Sequence, residues 1–462
     1  MTTSPARRMA VPFLPSWLCL GLLTVLSLIF ITPPFQAPDE AQHFFRAYQI
    51  SEGKMLGDVA HGTSGGSLPS SLSRLVEHFL GTTAIHADVR PVGPRPLGAT
   101  FAQLRMPLEP ERREYTVFSG AAYYAPLAYL PQAGAIGVGR LLGAGPLALL
   151  YMARLANGLA ALALIAWGLR LLPVGRELAA FAALLPMAVF LYASVSTDAI
   201  VISSAFLFTA LVLNRIVADR WSAADSALAL ACALAFCLLK PTYVPLLLLG
   251  FAQVLFTQAR TRAVLRHAAI LCATLLATVL WMRYSAAAVV TVKAGTGMAA
   301  QLAYVIQHPV HYLVAVLHSL YWRAFYYREF VGVLGWLTVP LPLPAYLLPI
   351  PAVLLALGSE AHALSKRVVL LLAHGAVVLG GCVLLVMTAL YLYWTPIGFP
   401  TVEGVQGRYF LPLLALGASL LAWTLGRKAL WSKDVAGAGI LVLVFLEAVL
   451  TIGTVAARYS VF

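Results

Sequence analysis

The first residues with chemistry to offer are Asp39 and Glu40. They form an acidic pair in the stretch PPFQAPDEAQHFFRAYQISEG, residues 33–53, directly after a first apolar run. A carboxylate on a water-facing rim can take a proton from a hydroxyl group if it sits at the reacting atom. Pro38 suits the first turn of a helix, and carboxylates there meet the positive end of the helix dipole. On a helix starting near Pro38, Asp39, His43 and Arg46 fall at i, i+4 and i+7 and share one face. Ala41, Phe44, Phe45 and Tyr48 make an apolar, aromatic face opposite. The pattern predicts a helix in the headgroup layer, greasy side down. The plainer alternative is an interfacial anchor whose acids only cap the helix. Glu40 is rotated by about 100° from Asp39 on such a helix, which makes Asp39 the better-placed base.

A third carboxylate, Asp198, stands in STDAI at the start of a later apolar run. Charged groups at membrane depth are costly and tend to be functional, although Ser196, Thr197 and Asp198 also read as an ordinary N-cap run. The basic candidates are Lys240 before Pro241, Arg323 and Arg328 among Tyr321, Trp322, Phe325, Tyr326 and Tyr327, and Arg408 in GVQGRYFLP. Guanidinium groups suit a phosphate because they offer forked donors and permanent charge. For Arg323 and Arg328 an aromatic interfacial belt explains the pattern equally well. Arg408 is the sharper candidate, lying after Gly404 and Gly407, where backbone can approach a ligand. His311 and His318 share a helix face near His308, but no carboxylate accompanies them at metal spacing. No metal or other cofactor is expected. There is no P-loop, dinucleotide fingerprint or G-x-S-x-G.

The elements that must position these residues are membrane spans. Of the 462 residues, 61% are hydrophobic and only 11% charged, against about 25% charged in a soluble domain. The composition predicts a polytopic membrane protein. The net charge of +13 comes largely from short loops between spans, so it reads as an orientation signal rather than a nucleic-acid footprint. All five cysteines lie in apolar runs, with no disulfide framework. The first run, 11–32, lacks a clean signal-peptidase site and reads as a retained span. Further spans are expected near 147–170, 177–194, 198–214, 222–239, 241–258, 267–284, 331–357, 368–392, 409–426 and 435–457, about eleven in all. Residues 119–142 are apolar but broken by Pro126 and Pro131. Counting them as re-entrant or interfacial puts the basic loops on one side with the N-terminus, as the positive-inside rule requires. The count leaves four segments on the outer face: 33–142, 195–199, 285–330 and 393–408. The domain reading is one transmembrane unit over 1–462, with large extracytoplasmic loops at 33–142 and 285–330. Short helices are expected at 40–50 and 68–80.

With these residues assembled, the chain resembles the GT-C superfamily of integral membrane glycosyltransferases, of the protein O-mannosyltransferase and lipid A aminoarabinose transferase type. The carrying residues are Pro38–Glu40 with His43 and Arg46, YYAPLAYL at 123–130, and STDA at 196–199. The chain also resembles a bacterial family of predicted membrane proteins whose members share four elements. These are P-D-E-x-x-H-x-x-R, K-P-x-Y (Lys240–Tyr243), G-x-x-G-W (Gly332–Trp336) and Q-G-R-Y-x-x-P (Gln406–Pro412). The resemblance implies an all-α GT-C-like bundle in a bacterial cytoplasmic membrane, with the N-terminus inside and the site outside. It implies a polyprenyl-phosphate-linked sugar donor and a glycan, lipid or protein acceptor, with Asp39, Glu40 and Asp198 as the catalytic carboxylates. The substrate-binding candidates are then His43, Arg46, Lys240, Tyr243, Arg323, Arg328, Trp336, Gln406, Arg408 and Tyr409. No soluble domain follows the last span in this sequence, so acceptor recognition is expected from the loops.

The leading expectation is therefore inverting sugar transfer. A transporter or flippase of a lipid-linked sugar is the rival, but such folds usually carry repeats and paired broken helices, and neither is visible here. A non-catalytic subunit of a polysaccharide assembly complex is the third reading.

Overall fold

The structure is a computed structural model that describes residues 12–81, 96–290, 297–322 and 326–459. It is mostly helical. Seven helical stretches among the described residues are long and apolar enough to cross a membrane. They are α1 (Phe13–Ile31), α6 (Pro146–Leu171), α9 (Asp198–Ala218), Arg260–Ala288, which begins as α11 (Arg260–Ser285), α17 (Lys366–Tyr393), Gly407–Leu425, which ends in α18 (Leu414–Leu425), and α19 (Lys433–Tyr459). The chain is thus a multi-pass membrane protein.

α9 lies at the centre. Every residue from Asp198 to Leu213 is buried, as expected of a helix that is apolar all round. It packs against α6, α18 and α10 (Ala223–Cys237). α11 and α17 bury far less of their surface and form the periphery.

The other expected spans take different forms. Ala223–Cys237 and Pro241–Leu255 are shorter apolar helices. The run near 177–194 is two seven-residue helices, α7 (Arg176–Ala182) and α8 (Pro186–Tyr192). Pro186 lacks the N–H that would join them. The expectation for 331–357 needs correcting. After α14 (Tyr326–Gly332) the chain makes a hairpin, β4 (Val333–Leu334) with β5 (Val339–Pro340), and only then α15 (Leu343–Leu347) and α16 (Pro349–Leu357). Gly335 and Leu337 both adopt positive φ inside that turn, which no apolar helix could accommodate.

The described residues of the 33–142 loop cover one end of the bundle. The helices expected there appear as α2 (Glu40–Ser51) and α3 (Ser70–Leu80). A three-stranded antiparallel sheet was not expected. It consists of β1 (Asp58–Ala60), β2 (Thr63–Pro69) and β3 (Arg113–Val117). β2 reads TSGGSLP, with none of the alternation that marks a strand. Its glycines serve close approach: a Cβ on Gly65 would lie 2.0 Å from the Thr116 carbonyl oxygen. α4 (Leu97–Ala102) precedes β3. In the 119–142 segment one 3-10 turn, Pro126–Tyr129, leads into α5 (Leu130–Leu141). Twelve residues rise about 18 Å, short of a bilayer core of about 30 Å. Two more helices, α12 (Met298–Gln307) and α13 (Pro309–Trp322), lie in the second large loop.

Candidate functional site

The site is built on a buried ion pair that the sequence reading did not anticipate. Arg154, in the third turn of α6, meets Glu40 with both side chains fully buried. Its Nε and Nη2 donate to the two Glu40 oxygens at 2.8 and 2.7 Å. Its remaining protons go to the carbonyls of Ile29, Thr32 and Pro33. Glu40 also accepts from the backbone N–H groups of Phe35 and Val195, both at 2.9 Å. One carboxylate therefore ties together the loop after α1, the start of α2, the third turn of α6 and the turn before α9. Asn157, one helical turn after Arg154, donates to the carbonyls of Ser194 and Ser196 and fixes the same turn.

This scaffold holds Asp39 and Asp198 at neighbouring points. Asp39 is not on the helix as expected. It is the residue before it, in the left-handed region at φ 61°, and Phe35 upstream is also left-handed at φ 67°. Such backbone is costly for non-glycine residues and clusters at functional sites. The Trp336 indole, from the β4–β5 turn, donates to the Phe35 carbonyl and holds this loop down.

Asp39 is 47% exposed and stands 3.7 Å from an Arg408 guanidinium that is only 8% exposed. Arg408 also lies 3.8 Å from Asp198, which in turn pairs with Lys240. Both Arg408 contacts exceed the roughly 2.7–2.9 Å of a forked pair, and its buried Nε has no hydrogen-bond partner. Lys240 lies 5.1 Å from the centre of the Tyr409 ring, and Arg408 lies 5.5 Å from it. The Tyr243 hydroxyl donates to the Tyr409 carbonyl at 2.7 Å. Gly407 makes the approach of Arg408 feasible. Its N–H donates to Glu329 on α14, and a Cβ there would lie 2.3 Å from the Tyr326 carbonyl oxygen.

His43 backs the cluster, with Nδ1 2.7 Å from the Tyr129 hydroxyl and its ring stacked on Tyr124. Burial pushes its imidazole below the ordinary value, opposed by the charges of Asp39 and Asp198. Burial likewise pushes the Tyr129 phenol well above its ordinary value, so the contact joins a neutral ring to a protonated hydroxyl.

The structure therefore brings together Asp39, His43, Asp198, Lys240, Tyr243, Arg408 and Tyr409, which are spread over 371 positions of sequence (409 − 39 + 1). It separates the others. Glu40 lies inside the scaffold. Arg46, expected on the face of Asp39, instead donates to Gln49 and to the Met55 and Tyr124 carbonyls. α2 itself does not lie on a surface: Phe44, Phe45 and Tyr48 are as buried as His43 and Arg46, because the sheet and α5 cover its other sides. Trp336 acts through Phe35, and Arg328 sits over the Tyr346 ring. The Gln406 side-chain oxygen is buried without a partner next to the cluster in sequence. Arg323 lies outside the described residues. His311 meets Tyr304 on α12, and no metal-type group of three His, Cys, Asp or Glu side chains occurs among the described residues. Arg154 carried a signal that was missed: it is a lone charge inside the apolar run PLALLYMARLANGLAAL, and such residues are rarely without purpose.

Spanning-length helices with a charged cluster at their ends define a multi-pass membrane protein with a polar site at one end of the bundle. Residues 22–416 match the family described as Predicted membrane protein (DUF2142), and the chain belongs to that family. No curated protein and no solved structure matches it.

Proposed function

We propose that the protein is an inverting GT-C-type glycosyltransferase. It moves a monosaccharide from a polyprenyl-phosphate donor to a glycan, lipid or protein acceptor at the outer face of a bacterial cytoplasmic membrane. The observation that carries this reading is the half-exposed Asp39 carboxylate beside Arg408, whose contacts fall short of close forked pairing. The carboxylate is available to a hydroxyl, and the cation is available to a phosphate.

In this reading Asp39 takes the proton of the acceptor hydroxyl. The acceptor oxygen bonds to the anomeric carbon as the bond to the phosphate oxygen breaks. The electron pair leaves with the polyprenyl phosphate, where Arg408 and Lys240 meet the charge. Asp198 holds these two cations and does not itself react. No second acid is needed, because the phosphate leaves without protonation, unlike the sugar alcohol in a glycosidase. The outer-face assignment rests on the basic loops gathering opposite the cluster.

The test is transfer by purified variants from a labelled polyprenyl-phosphate sugar to an extract of surface glycans. Asp39→Asn keeps size and hydrogen bonding but cannot accept the proton. It should bind donor and lose about 100- to 10,000-fold in rate. An Asp39→Asn protein within a few-fold of the parent would sink the transferase reading and leave transport of a lipid-linked sugar as the better one.

A further inference from the structure

Away from this cluster, α19 carries a carboxyl group that nothing above explains. Glu447 is 1% exposed. Neither of its side-chain oxygens has a hydrogen-bond partner. It lies 14 residues after Lys433 and 12 before Tyr459 (447 − 433 and 459 − 447), about 21 and 18 Å from the two ends of the helix. That is the middle of a spanning-length segment.

Among the described residues, the elements packed against α19 bring no counter-charge to Glu447. On its own helix Ile440, Leu443, Val444 and Thr451 share the buried face. The Thr451 hydroxyl is committed to the Glu447 backbone carbonyl. α19 packs against α1, α7, α8, α15, α16 and β5. α1 brings only the Cys19 thiol, α8 the Tyr192 hydroxyl and α15 Tyr346; α16 and β5 bring no titratable side chain. Arg176 and Glu177 of α7 lie at the far end of α19, where Lys433 pairs with Glu177. Tyr327 of α14 donates to the Tyr346 carbonyl, and Tyr346 donates to the Gly332 carbonyl.

An isolated carboxylate there would lose its hydration with nothing to replace it, whereas the neutral acid is buried at a smaller penalty. We propose that Glu447 is a proton-binding site inside the bundle, separate from the Asp39–Arg408 cluster. Its ligand is a proton. The carboxylic acid surrenders it only when water or a cation reaches it, so uptake and release accompany an opening between α19 and its neighbours.

The probe is a lipid-soluble carbodiimide, applied to the full chain in lipid nanodiscs. The acid's proton goes to a carbodiimide nitrogen as the carboxyl oxygen bonds to the central carbon. In a dry site the acyl group then shifts to nitrogen, and the whole reagent stays attached. Mass spectrometry of the α19 peptide should show one adduct at Glu447, absent from Glu447→Gln, and no adduct from a water-soluble carbodiimide. A melting curve supplies the second arm. Removing a buried acid without a partner should raise the midpoint of Glu447→Leu by roughly a few degrees. Failure of the lipid-soluble reagent to label, labelling by the water-soluble one, or a lowered midpoint in Glu447→Leu would each overturn the assignment.

Discussion

Asp39 and Glu40 adjoin in the chain and meet opposite environments. Glu40 spends four hydrogen bonds on Arg154, Phe35 and Val195, while Asp39 keeps half its surface open beside Arg408. Glu40→Gln should therefore act on folding. Breaking a fully buried pair from one side costs about 3–5 kcal/mol, so the variant should express poorly and melt early, with surviving protein still able to bind donor. Normal thermal stability in Glu40→Gln would show that the Arg154 pair is not what holds the site. For Arg408, lysine keeps the charge but loses the fork. Donor affinity should fall in Arg408→Lys and fall further in Arg408→Ala, roughly tenfold or more for a lost charge-assisted bond. Unchanged donor binding in the alanine variant would remove Arg408 from the phosphate site. His43 makes a prediction in pH. Its folded value lies below the ordinary 6.5, so between the two values the unfolded chain binds the extra proton. Stability present above about 6.5 is then lost as pH falls toward the folded value. His43→Gln should flatten the acid side of the melting profile between those two values, and an unaltered profile would place the titration elsewhere.

At the scale of elements, the cluster is made of ends. α1 finishes, α9 starts, the Lys240–Pro241 junction turns, and the Gly407–Leu413 segment enters the bundle at one level. Helix ends suit this work because their side chains can point along the axis into a shared space. The entry at Gly407 is the tightest point, since a Cβ there would also lie 2.4 Å from the Phe330 nitrogen. Gly407→Ala must push the segment off α14, at about 1–3 kcal/mol, and carry Arg408 with it. Donor affinity and melting temperature should fall together. Gly417, with nothing within 4 Å of its Cβ position, is the control. Gly417→Ala sits inside α18 and should be neutral or stabilising by up to about 1 kcal/mol. Equal behaviour of the two alanine variants would mean that the close approach at Gly407 is not a constraint.

For the whole molecule, orientation is the property that joins site to function. In the proposed orientation Arg262 faces the cytoplasm and Ala300 lies outside with the cluster. Single cysteines at the two positions should therefore differ toward a membrane-impermeant thiol reagent in intact cells, with the 300 site labelled and the 262 site silent. Labelling at 262 would reverse the orientation and remove the cluster from the outer face. The class of the protein was legible in the chain because hydropathy is a local sum. A run of about 20 apolar residues spans a bilayer whatever surrounds it, so α1, α6, α9, α11, α17 and α19 could be read directly. Motif residues such as Asp39, Lys240 and Arg408 were also legible, through residue type and short spacing. The tertiary structure alone decided which of them meet. It alone set Glu40 against Arg154 across 114 positions, turned the start of 331–357 into a hairpin, and paired β2 with a strand some 50 residues on. It also left Glu447 without a partner. Those outcomes depend on contacts between distant segments, whose energies no window of sequence contains.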